Sequence, residues 1–320
     1  MSASLFSSLE QNVRSSTFAL RANDGVVLFV YRWLPGTPPK AVVQIAHGLA
    51  EHAGRYTRLA KALTRAGYAV FAGDHRGHGR TARTPQDLGF LGAQDGWHNC
   101  LNDLRHLNNR IAAEYPGVPI VLLGHSMGSF MAQQFISEHG ETIAAVILAG
   151  SAGRPPAMAR LARVVAQLER FRLGPRHTSP GLNVLTFGAF NKHFAPARTD
   201  FDWLSRDEAE VDKYVADPLC AFPLSVQLTI DVLTATADVT RPSRQARIPK
   251  RLPIHIIAGS RDPVSADTKT LKQLLYAYES VSLERVTHRF YPDARHELFN
   301  EINREEVTRD VLAWLDGIIG

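Results

Sequence analysis

Apolar residues in this chain gather into short runs separated by stretches of helical period. Ala41 to Ala46, Tyr68 to Ala72, Ile120 to Leu123, Ala144 to Leu148 and Pro253 to Ala258 are almost wholly apolar. Such runs are what strands look like when both faces of a sheet are covered. Between them, Arg55 to Ala66, His98 to Tyr115 and Ser129 to Glu138 read as helices, as do Ala266 to Tyr278 and the C-terminal stretch. Thr17 to Leu20 and Val26 to Leu34 alternate around Asn23-Asp24-Gly25, a hairpin signal. Glu284 to Tyr291 is a late strand. The alternation predicts the α/β class, with a mostly parallel central sheet flanked by helices. From Ser151 to about Pro249 the rhythm breaks into helices, prolines and arginines. We therefore expect a core of residues 1–150 and 250–320 with a mainly helical cap, 151–249, inserted between its parts.

One short segment adds chemistry to this outline. Gly124-His125-Ser126-Met127-Gly128 sits between the apolar run at 120–123 and the helical stretch at 129–138. A GxSxG pentapeptide in a strand–turn–helix setting presents a serine nucleophile on a strained turn, and the flanking glycines leave the room that turn needs. A serine hydroxyl is protonated at neutral pH, so it needs an imidazole to take its proton and a carboxylate to orient that imidazole. Asp262 follows the run 253–258 and His296 follows the strand ending at Tyr291, each on a loop just past a strand end. Open parallel sheets build sites in that crevice. The expected triad is Ser126, Asp262 and His296. The oxyanion donors are expected to be the amides of Met127, directly after the nucleophile, and Leu49, on the turn where Gly48 permits close approach.

With those residues in place, the chain resembles the monoacylglycerol lipase and lysophospholipase branch of the α/β-hydrolases, often described as serine aminopeptidase S33-like. The blocks HGLAEHAGRY (47–56), GDHRGHGRT (73–81), GHSMGS (124–129), GSRDPV (259–264) and ARHELFNE (294–301) are similar to that branch's, in its order. Residues 190–220 resemble the cap region of bacterial lysophospholipase-like members. Ser129 departs from the pattern, which more often has glycine there. The resemblance implies a serine carboxylester hydrolase of the α/β-hydrolase fold that uses no cofactor. Gly48, Glu51, His52, Arg55 and His125 become candidates for substrate contact, although Glu51, His52 and Arg55 could equally brace one another. The spacing of Asp74, His75 and His78 matches no familiar metal motif, so no metal is expected. A peptidase acting on N-termini would use the same triad with an acidic cluster for the amine, and Asp207, Glu208, Glu210 and Asp212 are available. A non-catalytic lipid-ligand receptor is the remaining alternative.

Positive charge is concentrated in one segment of the chain. The formal net charge is +5, and residues 154–176 carry six arginines against the single acid Glu169, which accounts for the whole excess. On a helical wheel Met158, Leu161, Val164, Val165, Leu168 and Phe171 fall on one half, with Arg160, Arg163, Gln167 and Arg170 on the other. Two readings follow. Either the apolar half packs on the core with the arginines in water, or the helix makes peripheral contact with anionic lipid. Arginines in a lid without a reader fold argue against nucleic acid. Cys100 and Cys220 are too few for a disulfide scaffold, no secretory signal is read at 1–14, and no apolar run reaches membrane-spanning length. The expected location is cytoplasmic, with transient membrane association.

Overall fold

The structure, a computed structural model, describes residues 13–320. The expectation about a secretory signal lies mostly outside them. Eight strands form one sheet in the order β1-β2-β4-β3-β5-β6-β7-β8. They are β1 (Arg14–Arg21), β2 (Val27–Leu34), β3 (Val42–Ala46), β4 (Ala69–Gly73), β5 (Ile120–His125), β6 (Ala145–Ala149), β7 (Ile254–Gly259) and β8 (Val286–Tyr291). Strand β2 runs antiparallel to both neighbours, and β3 through β8 pair in parallel. The hairpin closes at Gly25, whose φ of +86° suits a residue without Cβ.

Each parallel crossover carries a helix: α1 (Thr57–Arg65), α2 (Gly96–Glu114), α3 (Met127–His139), α9 (Lys269–Ser280), with α10 (Arg304–Ile319) closing the chain. The period of two along the strands sorts the core into two layers. Leu122 of β5 joins Leu104 and Leu107 of α2, Phe135 of α3 and Leu274 of α9 on one face. Its neighbour Leu123 joins Leu63 of α1 and Val311 and Leu315 of α10 on the other. Strand β3 lies between β4 and β5, so the chain leaves it toward opposite sides in successive crossovers. The crevice at such a switch point is where the loops after β3 and β5 face each other.

Between β6 and β7 lie α4 (Ala157–Leu173), α5 (Pro180–Phe187), α6 (Glu208–Ala216), α7 (Val226–Val239) and the short α8 (Pro242–Gln245). The described residues of this interval hold no strand, only an isolated bridge between Thr178 and Ser225. Ser225 and Asp207 cap α7 and α6 through their side chains. Helix α7 packs against α2 and α3, and α4 packs against α7.

The packing of α4 corrects one of the two readings of its wheel. The helix does not lay its large apolar side chains on the core. Met158, Leu161, Val164 and Leu168 are 50% to 66% exposed, and Phe171 is 95% exposed. The buried face is the alanine stripe: Ala162 and Ala166 are covered, the latter beside Leu182 and Val226, with Val165 half-buried. Small residues let two helices approach closely, so this helix seats by its alanines and turns its bulk outward. No helix among the described residues is long and apolar enough to cross a membrane.

Candidate active site

The turn between β5 and α3 holds Ser126 at φ +52° and ψ −119°, a conformation that costs a non-glycine residue about 1–3 kcal/mol. Its surroundings impose it. The Ser126 amide donates to the Ala149 carbonyl on β6 at 3.0 Å, and its carbonyl accepts from the Ser129 amide at 2.8 Å. The close fit explains the glycines: a Cβ on Gly124 would lie 2.3 Å from the Gly128 carbonyl oxygen, and one on Gly128 would lie 2.1 Å from that of Ala46. Ser129, the departure from the family pattern, places its hydroxyl 2.6 Å from the Ser126 carbonyl and 2.8 Å from Ser151 Oγ. Gln133 completes this buried chain by donating to Ser151 at 2.9 Å.

Asp262 and His296 are brought together. His296 Nδ1 lies 3.0 Å from both carboxylate oxygens of Asp262, and both residues are buried. Asp262 also caps the turn after β7 by accepting from the Val264 amide, which fixes its orientation. Burial alone would depress the His296 pKa. The charge and hydrogen bond of Asp262 outweigh it and, with Glu297 and Glu51, raise that pKa above its ordinary value. The His296 ring is wedged between His125 and Trp203, at centroid distances of 4.8 and 5.0 Å. On the serine side, a Cβ on Gly48 would lie 3.2 Å from Ser126 Cβ, and one on Gly150 would lie 3.1 Å from His296 Cε1. Among the described residues the Ser126 hydroxyl makes no hydrogen bond, to His296 or to any other group. Such contacts are often long in a free enzyme and tighten on binding.

The two expected oxyanion donors are unengaged: among the described residues neither the Leu49 nor the Met127 amide has an internal hydrogen-bond partner. The Gly48 amide, by contrast, donates to Glu51 Oε1 at 2.6 Å, and Tyr56 donates to the same oxygen at 2.8 Å. Beneath this loop lie three buried imidazoles. His47 Nε2 accepts from the His75 amide at 2.9 Å, so its proton is on Nδ1, which donates to the Gly48 carbonyl. Burial holds His75 down to about 3 and His78 to about 4, and drives His47 well below its ordinary value, so all three are neutral.

Of the residues considered for substrate contact, Glu51 and Arg55 brace one another. Arg55 donates to Glu51 at 2.7 Å and, through both terminal nitrogens, to Glu297 at 2.6 and 2.7 Å. Its guanidinium stacks 4.8 Å over the Tyr214 ring. Burial alone would push the Glu297 carboxyl up, but the Arg55 charge and hydrogen bonds hold it down to about 2. His52 pairs with Asp217 at 3.0 Å. His125 is buried against Tyr56 and His296, with burial lowering its pKa to about 4. Neither Trp203 nor Glu297 was legible from sequence pattern as a support of His296. Glu297 stood beside the histidine, but its partner lies 242 positions away.

Comparisons with known proteins identify the family. The family model described as serine aminopeptidase, S33, matches residues 37–303. A monoacylglycerol lipase of Mycolicibacterium smegmatis is 31% identical over 92% of this chain and 95% of its own. A monoglyceride lipase of Rattus norvegicus is 32% identical over 90% and 85%. A solved carboxyl esterase from Bacillus coagulans, in complex with glycerol, superimposes with a TM-score of 0.89 at 26% identity, covering 96% of this chain and 99% of that one. The chain thus belongs to the serine aminopeptidase S33 family and is a serine ester hydrolase of the α/β-hydrolase fold.

Proposed function

We propose that the chain hydrolyses acyl esters of monoacylglycerol or lysophospholipid type through an acyl-enzyme. His296, held by Asp262, takes the Ser126 proton on Nε2 as Oγ bonds to the ester carbonyl carbon. The amides of Leu49 and Met127 stabilise the oxyanion. Collapse of the tetrahedral adduct breaks the bond to the alcohol, which leaves with the proton from His296. Water then attacks the acyl-enzyme by the same route, releasing the acid. The observation that carries this reading is the buried His296–Asp262 pair, with its Nδ1 side occupied by carboxylate.

The substrate class rests on the names of the relatives and on residues 151–249, which we read as a cap. An acyl chain buried there contributes about 0.8 kcal/mol per methylene. A panel of monoacylglycerols, lysophospholipids, short esters and aminoacyl amides tests it: kcat/KM is expected to rise with acyl length and to be negligible on the amides. Preference for aminoacyl amides would overturn it. The acids that a peptidase would need for an α-amine are already ion-paired: Asp207 with Arg304 at 2.6 Å, Glu210 with Arg58 and Lys213, and Asp212 with Arg198. Glu208 lies 3.8 Å from Arg198.

The outward face of α4 gives this enzyme a means of reaching insoluble substrate. Leu161, Val164, Leu168 and Phe171 form an exposed stripe, and Arg160, Arg163 and Arg170 lie along its flank. Apolar side chains entering the lipid boundary with arginines at headgroup level define an interfacial helix. Sedimentation is expected to show binding to anionic but not to neutral vesicles, weakened by salt and by Phe171→Asp. Equal weak binding to both vesicle types would refute it.

A further inference from the structure

Outside the candidate triad, one cluster among the described residues brings three different metal-binding side chains together. His52, on the loop after β3, meets Asp217 and Cys220, on the turn after α6, and one ligand atom from each lies within 4.8 Å of the others. His52 and Cys220 are covered and Asp217 is about one-third exposed, so a small ion has a path in.

We propose that His52, Asp217 and Cys220 form a binding site for a zinc-class divalent cation that clamps the 217–221 turn onto the loop after β3. The donor set of imidazole nitrogen, carboxylate oxygen and sulfur is the one zinc takes, with water as fourth ligand. Zinc bonds of about 2.0–2.3 Å in a tetrahedron place ligand atoms about 3.3–3.8 Å apart. His52 Nε2 and Asp217 Oδ2 are now 3.0 Å apart, so small side-chain rotations reach that spacing. The backbone beneath is already fixed. The Asp217 carbonyl accepts from the Cys220 amide at 3.0 Å, the Asp217 carboxylate accepts from the Leu219 amide at 2.9 Å, and the Ala221 amide donates to the Ala50 carbonyl at 3.0 Å.

The surrounding charge favours a cation. Nearby Arg55 is shared by two carboxylates, Glu51 and Glu297, and Asp217 adds a third. The site therefore holds an excess of negative charge that a divalent ion relieves.

The Gly54 amide now donates to His52 Nδ1 at 3.2 Å, which places the ring proton on Nε2, toward Asp217. Ligation through Nε2 moves that proton to Nδ1 at the loss of this long hydrogen bond, and the thiol proton is released to solvent. Affinity therefore rises with pH.

The test uses the full-length, tag-free chain and reads no turnover, so it stands or falls separately from the substrate assignment. Titration with zinc chloride is expected to show one ion bound per chain, reversed by EDTA and not reproduced by magnesium, with a higher Tm in the loaded protein. Cobalt(II) is expected to give a thiolate charge-transfer band. Cys220→Ser should abolish that band and weaken zinc at least tenfold, Asp217→Asn should weaken it as well, and Cys100→Ser should change neither. A wild-type cobalt spectrum without the band, or zinc binding unchanged in both Cys220→Ser and Asp217→Asn, overturns the site. The wild-type spectrum decides the matter even if a variant folds poorly.

Discussion

Ser126→Ala is expected to give a folded protein whose ester hydrolysis is slower by about 10⁴-fold or more, since members of a triad act as a unit. Stability should change little because the Ser126 hydroxyl makes no hydrogen bond among the described residues. The strained backbone is held instead by the amide to Ala149 and by the carbonyl to Ser129, neither of which needs the side chain. Alanine tolerates φ +52° no worse than serine does. Residual turnover would come from the Leu49 and Met127 amides and from substrate binding, which survive the substitution. The measurements are kcat on a p-nitrophenyl ester, labelling by a fluorophosphonate probe, and a thermal melt. A variant with a native melt, no labelling and collapsed kcat meets the expectation. Normal turnover would remove Ser126 as nucleophile, and absence of labelling in the parent chain would favour a ligand receptor.

The parts of this molecule that were legible in the sequence are those set by local pattern. Continuous apolar runs gave β3 to β7 because a doubly covered sheet leaves no polar face to alternate with, and the Asn23-Asp24-Gly25 turn gave the β1–β2 hairpin. The meeting of Asp262 with His296 followed from each lying just past a strand end, which a parallel sheet converts into proximity. The orientation of α4 was not legible. Its wheel carries an apolar half and an alanine stripe, and only the surface of α7 selects between them. Of the bracing, the pairing of Glu51 with Arg55 was one of two readings of the sequence, whereas Arg55 and Glu297 are joined only by the folding of the loop after β3 against the loop after β8. Composition reports that both charges exist and says nothing of their being buried together. Ser129 looked like a mere substitution of one small residue for another, yet its hydroxyl ties the nucleophile turn to Ser151.

That bracing leads to the second large effect, because among the described residues Arg55 is the one cation paired with the two buried carboxylates Glu51 and Glu297. Its side chain is 11% exposed, and those of Glu51 and Glu297 are 4% and 7% exposed. Removing one member of a buried ionic group leaves charge without compensation, which costs about 3–5 kcal/mol. Arg55→Met keeps much of the apolar stem against Tyr214 and deletes only the charge and its hydrogen bonds, so a loss of this size is expected at neutral pH. The pH dependence of the difference identifies its cause. In the parent chain Glu297 is held at about 2, below the ordinary carboxyl value of 4.5, so its contribution is present above that value and lost as pH falls toward 2. Without Arg55, burial dominates and raises the Glu297 pKa above the ordinary value, so the penalty is greatest at high pH and shrinks as acid neutralises the carboxyl. The buried neutral histidines weaken both proteins alike on acidification and cancel in the comparison. Urea unfolding at pH 7.5 and at pH 5 is therefore expected to show a smaller gap between variant and parent at pH 5, and Arg55→Met combined with Glu297→Gln should recover part of the loss. A gap below about 1 kcal/mol, the scale of an exposed pair, or one unchanged between the two pH values would show that the group is not a buried charge cluster. Catalysis should fall along with stability. Glu51 holds the Gly48 amide on one side and Glu297 adjoins His296 on the other, so Arg55 ties the Gly48 loop to the loop that carries His296.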